Sequence, residues 1–410
     1  MKKILSLLLL ALVLGCSTQK NSETRFEFPP EWEAHEAVWT DFASEWTVIP
    51  NREAKLKIIS ALSNYVKTNV VYDDDSLMQL AVDKLTEMSA NLSRINFIKT
   101  SSPMNWVRDP GPIFITDDDR LKVVDFQWSC YGRAYDCGDD MRGTVNDELA
   151  HGMNLEMDSI GIYLEGGGIE VSYNTILAYR AMAEQRNPER SLEEVTRIML
   201  DALGKEQLIW LDEFPRIDKP DHKMGNYFGN GANGHIDVTT RFLNDSTILA
   251  TIIAEDDKNK SPLLREDHRI LNANLEQLKE AKQPNGKPYN IVTIEAPDYT
   301  LYEYETTMAD YYYYRLPEEE RGEFSIGDTI KFVPALEYAN FLVTNGAVLV
   351  SSYWKEGMPE SERQKDERIQ QLLKQYFPER DIVPLDVLPI NWGGGGIHCR
   401  TQQQPKLKGT

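Results

Sequence analysis

Four short segments of the 410-residue chain set reactive side chains beside glycine or proline. "NWVRDPGP" carries Trp106, Arg108 and Asp109, "LEGGG" carries Glu165, "GNGANGHID" carries His235 and Asp237, and "GGGGIHCRTQQQP" carries His398 and Cys399. This inventory narrows the chemistry. A serine hydrolase would want a G-x-S-x-G elbow, which the chain lacks. A zinc site would want clustered Cys and His, but the six histidines show no CxxC or HExxH spacing. No phosphate-binding or dinucleotide loop stands out, since "GNGANG" has the glycines without a strand before them. What remains is a cysteine nucleophile with a histidine and several carboxylates, a set that requires neither metal nor cofactor. Two carboxylates can hold a flat, cationic guanidinium through its forked N–H groups, with its carbon beside a thiolate. The thiolate adds to that carbon and the histidine protonates departing ammonia. The same histidine then activates water to release a urea-type product.

Singly, each residue has an ordinary explanation. Asp109 could belong to an Asp-Pro-Gly surface turn, and Glu165 could be a satisfied polar group at a strand end. His235 and Asp237, read as part of a strand, would share one face, which suits a site or a solvated edge equally. The joint arrangement argues against those readings.

Such residues need rigid elements to hold them. Four stretches read as hairpins: "GPIFITDDDRLKVVDF" from Gly111, "GGIEVSYNTILAY" from Gly167, "HIDVTTRFLNDSTILATI" from His235 and "ANFLVTNGAVLVSSY" from Ala339. Each joins two apolar runs through Asp, Asn or Gly turn chemistry. Helices are expected at Glu53 to Lys67, Asp75 to Ser89, Ser191 to Leu203, Arg265 to Ala281 and Ser361 to Tyr376, with a capping box of Ser191 and Glu194 opening the third. Hairpins alternating with helices argue α/β packing in a repeat with insertions. One insertion, "YTLYEYETTMADYYYYRLPEEERGEFSIGD", reads as an ordered excursion that buries its tyrosines, or as an aromatic rim over a cation site.

The leader "MKKILSLLLLALVLGC" has two lysines and an apolar run of 11 residues from Ile4 to Leu14. That is too short for a bilayer span of about 20 residues. It has the shape of a cleaved secretory signal, and Cys16 after Gly15 resembles the acylated cysteine of bacterial lipoproteins. Residues 1–15 are then a signal peptide, residues 16–25 a tether, and residues 26–407 one catalytic domain. The protein would be exported and touch the membrane only through its lipid. Loss of Lys2 and Lys3 takes the net charge from −21 to −23, with 42 Lys+Arg against 65 Asp+Glu. Such a surface repels nucleic acid and attracts small cations. Cys130 and Cys137, seven apart, could form a disulfide or stay as buried thiols, and Cys399 is left unpaired. A homo-oligomer is left open.

In this order "NWVRDPGPIF", "LEGGGIEV", "GHID", "YANFLVTNGAVLV" and "GGGGIHCRTQQQP", after an opening "FPPEWEAHEAVWTDF", resemble the agmatine deiminase family, which includes the Porphyromonas-type peptidylarginine deiminases. The likeness spans about residues 26–406. It implies the pentein fold, a five-bladed α/β propeller of ββαβ units around a central channel, with the fifth blade made by the two chain ends. It makes Cys399 the nucleophile that forms an amidino intermediate and His235 the acid/base. Glu165 would orient His235, while Asp109 and Asp237 would hold the guanidinium. Trp106 would pack on the substrate and Asn340 would line the site. Arg108 would fix a carboxylate, and His398, pointing away on its strand, would be structural. The implied reaction converts agmatine and water to N-carbamoylputrescine and ammonia. Rival readings are deimination of a C-terminal peptide arginine, with Arg133 or Arg142 reading the carboxylate, an amidinotransferase, and a silent cation-binding lipoprotein. Three features depart from the family's pattern, one of them the Tyr-rich insertion with "CYGRAYDCGDDMRG", which could reshape the mouth of the channel. "SSPMN" precedes Trp106 where the family carries acidic residues, and the leader signals export where its agmatine-degrading members are cytoplasmic.

Overall fold

The computed structural model describes residues 25–44, 50–117, 119–132 and 144–408. The signal, the tether with Cys16, Cys137, Arg133 and Arg142 lie outside them. Among the described residues one unit recurs five times. Ile113–Thr116 pairs antiparallel with Leu121–Gln127, the chain crosses through helix Thr144–Gly152, and Glu156–Tyr163 returns parallel to the second strand. Glu170–Val171, Thr175–Tyr179 and Gln207–Leu211 repeat this around helices Arg180–Arg186 and Leu192–Leu203. Thr240–Asn244, Thr247–Ile252 and Asn290–Glu295 repeat it around Pro262–Glu280. Leu342–Thr344, Ala347–Ser351 and Asp381–Leu385 repeat it around Glu360–Tyr376. In the fifth unit the two chain ends meet. Thr401–Pro405 pairs antiparallel with His35–Asp41, and Lys67–Tyr72 follows in parallel after helix Pro50–Ser63. Helix Asp75–Glu87 then leads to a fourth strand, Ile95–Lys99.

The local sequence accounts for this. Turns such as Asn345-Gly346, with Gly346 at φ +71, close the hairpins tightly. A parallel third strand cannot be reached by a tight turn, so each unit needs its crossover helix. The middle strands Thr175–Tyr179 and Ala347–Ser351 are buried at every position, as expected where both faces of a sheet are covered. Helix Leu192–Leu203 turns Val195, Met199 and Leu203 inward, each contributing about 1.5–3 kcal/mol by burial. Ser191 caps it by accepting from the Glu194 amide at 3.2 Å, but the Glu194 carboxylate pairs with Arg190 instead of completing the expected box. Among the described residues no helix is long and apolar enough to cross a membrane.

Three expectations change. His235 and Asp237 are not on a strand, because Ile236–Val238 is a single 3-10 turn and the hairpin begins at Thr240. Likewise Gly166–Gly168 is a 3-10 turn ahead of its hairpin. In the tyrosine-rich insertion, Tyr304–Thr307 and Thr329–Phe332 extend the pair Asp221–Met224 and Tyr227–Gly229 into a four-stranded sheet. Its core is Met308, Leu316, Ile330 and Phe332, while Tyr311 and Tyr314 are each 62% exposed, so the insertion does not bury all its tyrosines.

Candidate active site

Each unit delivers a side chain from the segment just ahead of its first strand. Asp109 precedes Ile113, Glu165 precedes Glu170, His235 and Asp237 precede Thr240, Asn340 precedes Leu342 and Cys399 precedes Thr401. All six are buried.

Cys399 is fixed from two sides. Asn340 donates Nδ2 to its Sγ at 3.1 Å and accepts its backbone N–H at 3.2 Å, and Oδ2 of Asp237 lies 3.6 Å from Sγ. The glycines before it make room for protein groups. A methyl on Gly395 would fall 2.8 Å from the Trp106 ring and 3.0 Å from Sγ, and one on Gly396 would fall 2.8 Å from Asn340 Oδ1. Gly394, at φ +101, packs against the backbone of Gly231. The segment therefore clears space for Trp106 and Asn340. Trp106 itself is held by the Arg400 guanidinium, 3.6 Å from its ring centroid.

His235 sits among carboxylates. His235 Nδ1 is 3.5 Å from Asp109 Oδ1 and Nε2 is 3.8 Å from Glu165 Oε2, and neither ring nitrogen has a hydrogen-bond partner. Its backbone is set by Asp218, which accepts from the amides of Ala232, Gly234 and His235 at 2.7, 2.6 and 2.9 Å. Glu165 accepts from Ser129 Oγ at 2.7 Å and from Arg186 Nε at 3.2 Å. Asp109 accepts from the Gly167 amide at 3.2 Å and the Tyr131 hydroxyl at 3.0 Å. A methyl on Gly167 would lie 2.5 Å from His235 Nδ1, 2.8 Å from Asp109 Oδ1 and 3.2 Å from Asp237 Oδ2. The face of Gly167 is thus the point on which these three groups converge.

This grouping shifts protonation. Burial lifts the Asp109 carboxyl to about 6, with nearby Asp237 adding to the effect and His235 opposing it. Burial alone would depress His235, but Asp109, Glu165 and Asp237 raise it to about 9. For Glu165, Arg186 and His235 outweigh burial and bring it to about 2. Burial and the carboxylates of Asp237, Asp109 and Glu337 push the Cys399 thiol well above the usual thiol range.

Some residues enter that sequence reasoning did not assign. His398 is in the site network and does not point away, because residues 397–400 form a turn instead of a strand. Its Nδ1 is 2.6 Å from Asp237 Oδ2, and its Nε2 is 2.6 Å from Glu31 Oε2. Glu31, from "FPPEWE", also pairs with Arg241 at 2.9 Å and Arg108 at 3.3 Å. Arg108 therefore fixes a carboxylate, as expected, and the carboxylate is that of Glu31. Nothing in the sequence marks Arg186 and Arg241 as partners of distant acids, or Asp218 as the acceptor for the backbone ahead of His235. Glu337 is buried with no partner for either oxygen, and burial raises its pKa strongly. Cys130 is disulfide-bonded.

A family model described as Porphyromonas-type peptidyl-arginine deiminase matches residues 27–405. The agmatine deiminase of Pseudomonas syringae pv. syringae is 25% identical over 406 residues, covering 95% of this chain and 98% of the relative. Among solved structures, the agmatine deiminase of Enterococcus faecalis superposes with a TM-score of 0.72 at 23% identity, over 93% of this chain and 96% of that one. The C. jejuni agmatine deiminase does so with 0.66 at 21% identity, over the same shares. The likeness to these structures gives the α/β fold, and the match along nearly all of the described sequence settles descent: the chain belongs to the Porphyromonas-type peptidyl-arginine deiminase family.

Proposed function

We propose that the chain is a guanidine deiminase that converts agmatine and water to N-carbamoylputrescine and ammonia, with Cys399 as nucleophile. Family membership makes it a hydrolase of C–N bonds in linear amidines. One observation carries the reading further. Asp237 Oδ1 is buried without a donor, and the side chains of Asp109, Asp237 and His235 converge on one point beside Cys399. Two carboxylates grouped this way, one oxygen still lacking a donor, are what a guanidinium completes, since it offers five N–H groups in a planar fork.

The reaction follows from these positions. The thiol stays protonated among carboxylates until a cation arrives, and the positive guanidinium then favours the thiolate, the thiol proton passing to solvent. Sγ adds to the guanidinium carbon, and protonated His235 gives its proton to one terminal nitrogen. The C–N bond breaks with its electron pair leaving on ammonia, and a cationic S-alkylthiouronium remains on Cys399. Neutral His235 takes a proton from water, the hydroxide adds to the same carbon, and collapse expels Cys399 as thiolate, which takes back a proton from the O-protonated ureido product. The product carries a ureido group. Glu165 keeps a negative charge behind the imidazolium, which stabilises it as the donor.

Agmatine is chosen because the relatives of known name act on it. The test is ammonia release by the chain lacking its first 20 residues from agmatine, free arginine and a peptide ending in arginine. Release from agmatine that disappears in Cys399→Ala is expected. Full activity in that variant would overturn the mechanism, and ammonia from the peptide alone would transfer the activity to C-terminal arginine. We also propose anchoring at Cys16 after export, supported by the leader "MKKILSLLLLALVLGC".

A further inference from the structure

The segment Trp128 to Gly132 lies against three of the reactive residues, and no step above uses it. Ser129 Oγ donates to Glu165 at 2.7 Å and accepts the Gly132 amide at 2.8 Å. Tyr131 donates its hydroxyl to Asp109 Oδ2 at 3.0 Å, and its ring stands 5.5 Å from the His235 ring, centroid to centroid. The backbone is held in an unusual shape to do so. Cys130 and Tyr131 both have left-handed φ angles, +52 and +60. For non-glycine residues this conformation persists only where surrounding contacts enforce it. Those contacts are present. Asn233, two residues before His235, donates to the Tyr131 carbonyl at 2.8 Å, Trp128 packs edge-on to the Tyr131 ring at 4.8 Å, and Cys130 is disulfide-bonded.

Resting on the deiminase reading, we propose that Tyr131 is a positioning residue for Asp109: its hydroxyl fixes the outer carboxylate oxygen and sustains its negative charge, leaving the inner oxygen to grip the guanidinium. The need for such a donor is electrostatic. Asp109 is faced by His235 and Asp237 from the turn ahead of Thr240, by Glu165 ahead of Glu170, and more distantly by Glu337 and Cys399. Most of these are acidic, and burial adds to their effect. A carboxyl in that company takes up a proton readily and then loses its hold on a cation. A hydroxyl donating to the charged form opposes this, as a hydrogen bond to the ionised state always does.

The experiment uses Tyr131→Phe, which keeps the ring and removes only the hydroxyl. Its thermal unfolding is compared with the unsubstituted protein to check the fold. In a pH series of kcat/KM with agmatine, the acid limb is expected to move up by about one unit, so activity at pH 5 falls about tenfold while activity at pH 8 stays within about twofold. A second arm measures agmatine affinity against pH by calorimetry in Cys399→Ala, with and without Tyr131→Phe, where turnover plays no part. The same upward shift in binding is expected there. An unmoved acid limb in both arms overturns the proposal, as does equal loss at all pH values. Absence of agmatine binding in Cys399→Ala overturns it too. If the unsubstituted protein releases no ammonia while the binding limb shifts, the deiminase reading fails and the role of Tyr131 stands.

Discussion

His398 Nδ1 lies 2.6 Å from Oδ2 of Asp237, the same oxygen that lies 3.6 Å from the Cys399 sulfur. With Nε2 2.6 Å from Glu31, the imidazole bridges two buried carboxylates, and each contact needs one proton between nitrogen and oxygen. It holds Asp237 Oδ2 in place and leaves Oδ1 open. His398→Asn is too short to serve both acids, and while Glu31 keeps Arg241 and Arg108, Asp237 loses the donor on its buried Oδ2. The expected loss is about 3–5 kcal/mol of stability, read from denaturant midpoints, with a larger fractional loss of kcat/KM for agmatine than of agmatine-independent properties.

Gly167→Ala tests the convergence point. The new methyl would press on His235, Asp109 and Asp237 side chains, and no left-handed φ is involved at this glycine. Activity should fall at least 100-fold, about 2.7 kcal/mol in transition-state terms. The far-UV circular dichroism should be unchanged.

The pH dependence of kcat/KM should be bell-shaped. The acid limb follows Asp109 at about 6, because only the ionised carboxylate holds a cation. The alkaline limb follows His235 at about 9, because the proton given to ammonia must be present. His235 also leaves a mark on stability. Its folded value is raised above its ordinary 6.5, so its contribution is complete below pH 6.5 and is lost as pH rises through 9. Thermal scans between pH 6.5 and 9 should therefore show a fall in Tm that is smaller in His235→Asn.

Anchoring at Cys16 predicts incorporation of radiolabelled fatty acid when the full chain is expressed in a bacterium. Cys16→Ala should abolish that label, and the protein should then leave the membrane fraction.

The repeat was legible because alternating apolar runs around turn residues are a local property. The hairpins from Gly111 and Ala339 read directly as pairs of strands. Helix bounds moved by a few residues where a proline or capping serine sets the start, as at Ser261 and Pro262. His235 and Asp237 were legible as candidates but not as a 3-10 turn, because the alternation seen in "HIDVTTRF" continues a real strand back past its beginning. Glu31, Arg186, Arg241 and Asp218 were not legible as site partners. Ion pairs across 21 to 210 residues leave no spacing to read. Neighbour rules for strands misplaced His398, since the chain turns at residues 397–400.

The pairing of Thr401–Pro405 with His35–Asp41 also sets an order of events. Thr40 and Thr401 face each other across a separation that spans most of the chain, and such contacts are slow to form. Cys399 stands two residues before that last strand, so the thiol reaches Asn340 and Asp237 only after the ends have joined. A partly folded chain whose ends have not joined carries the carboxylates without Cys399 beside them. On the proposed reading, ammonia release then reports completed folding, and a chain whose two end strands fail to pair is silent.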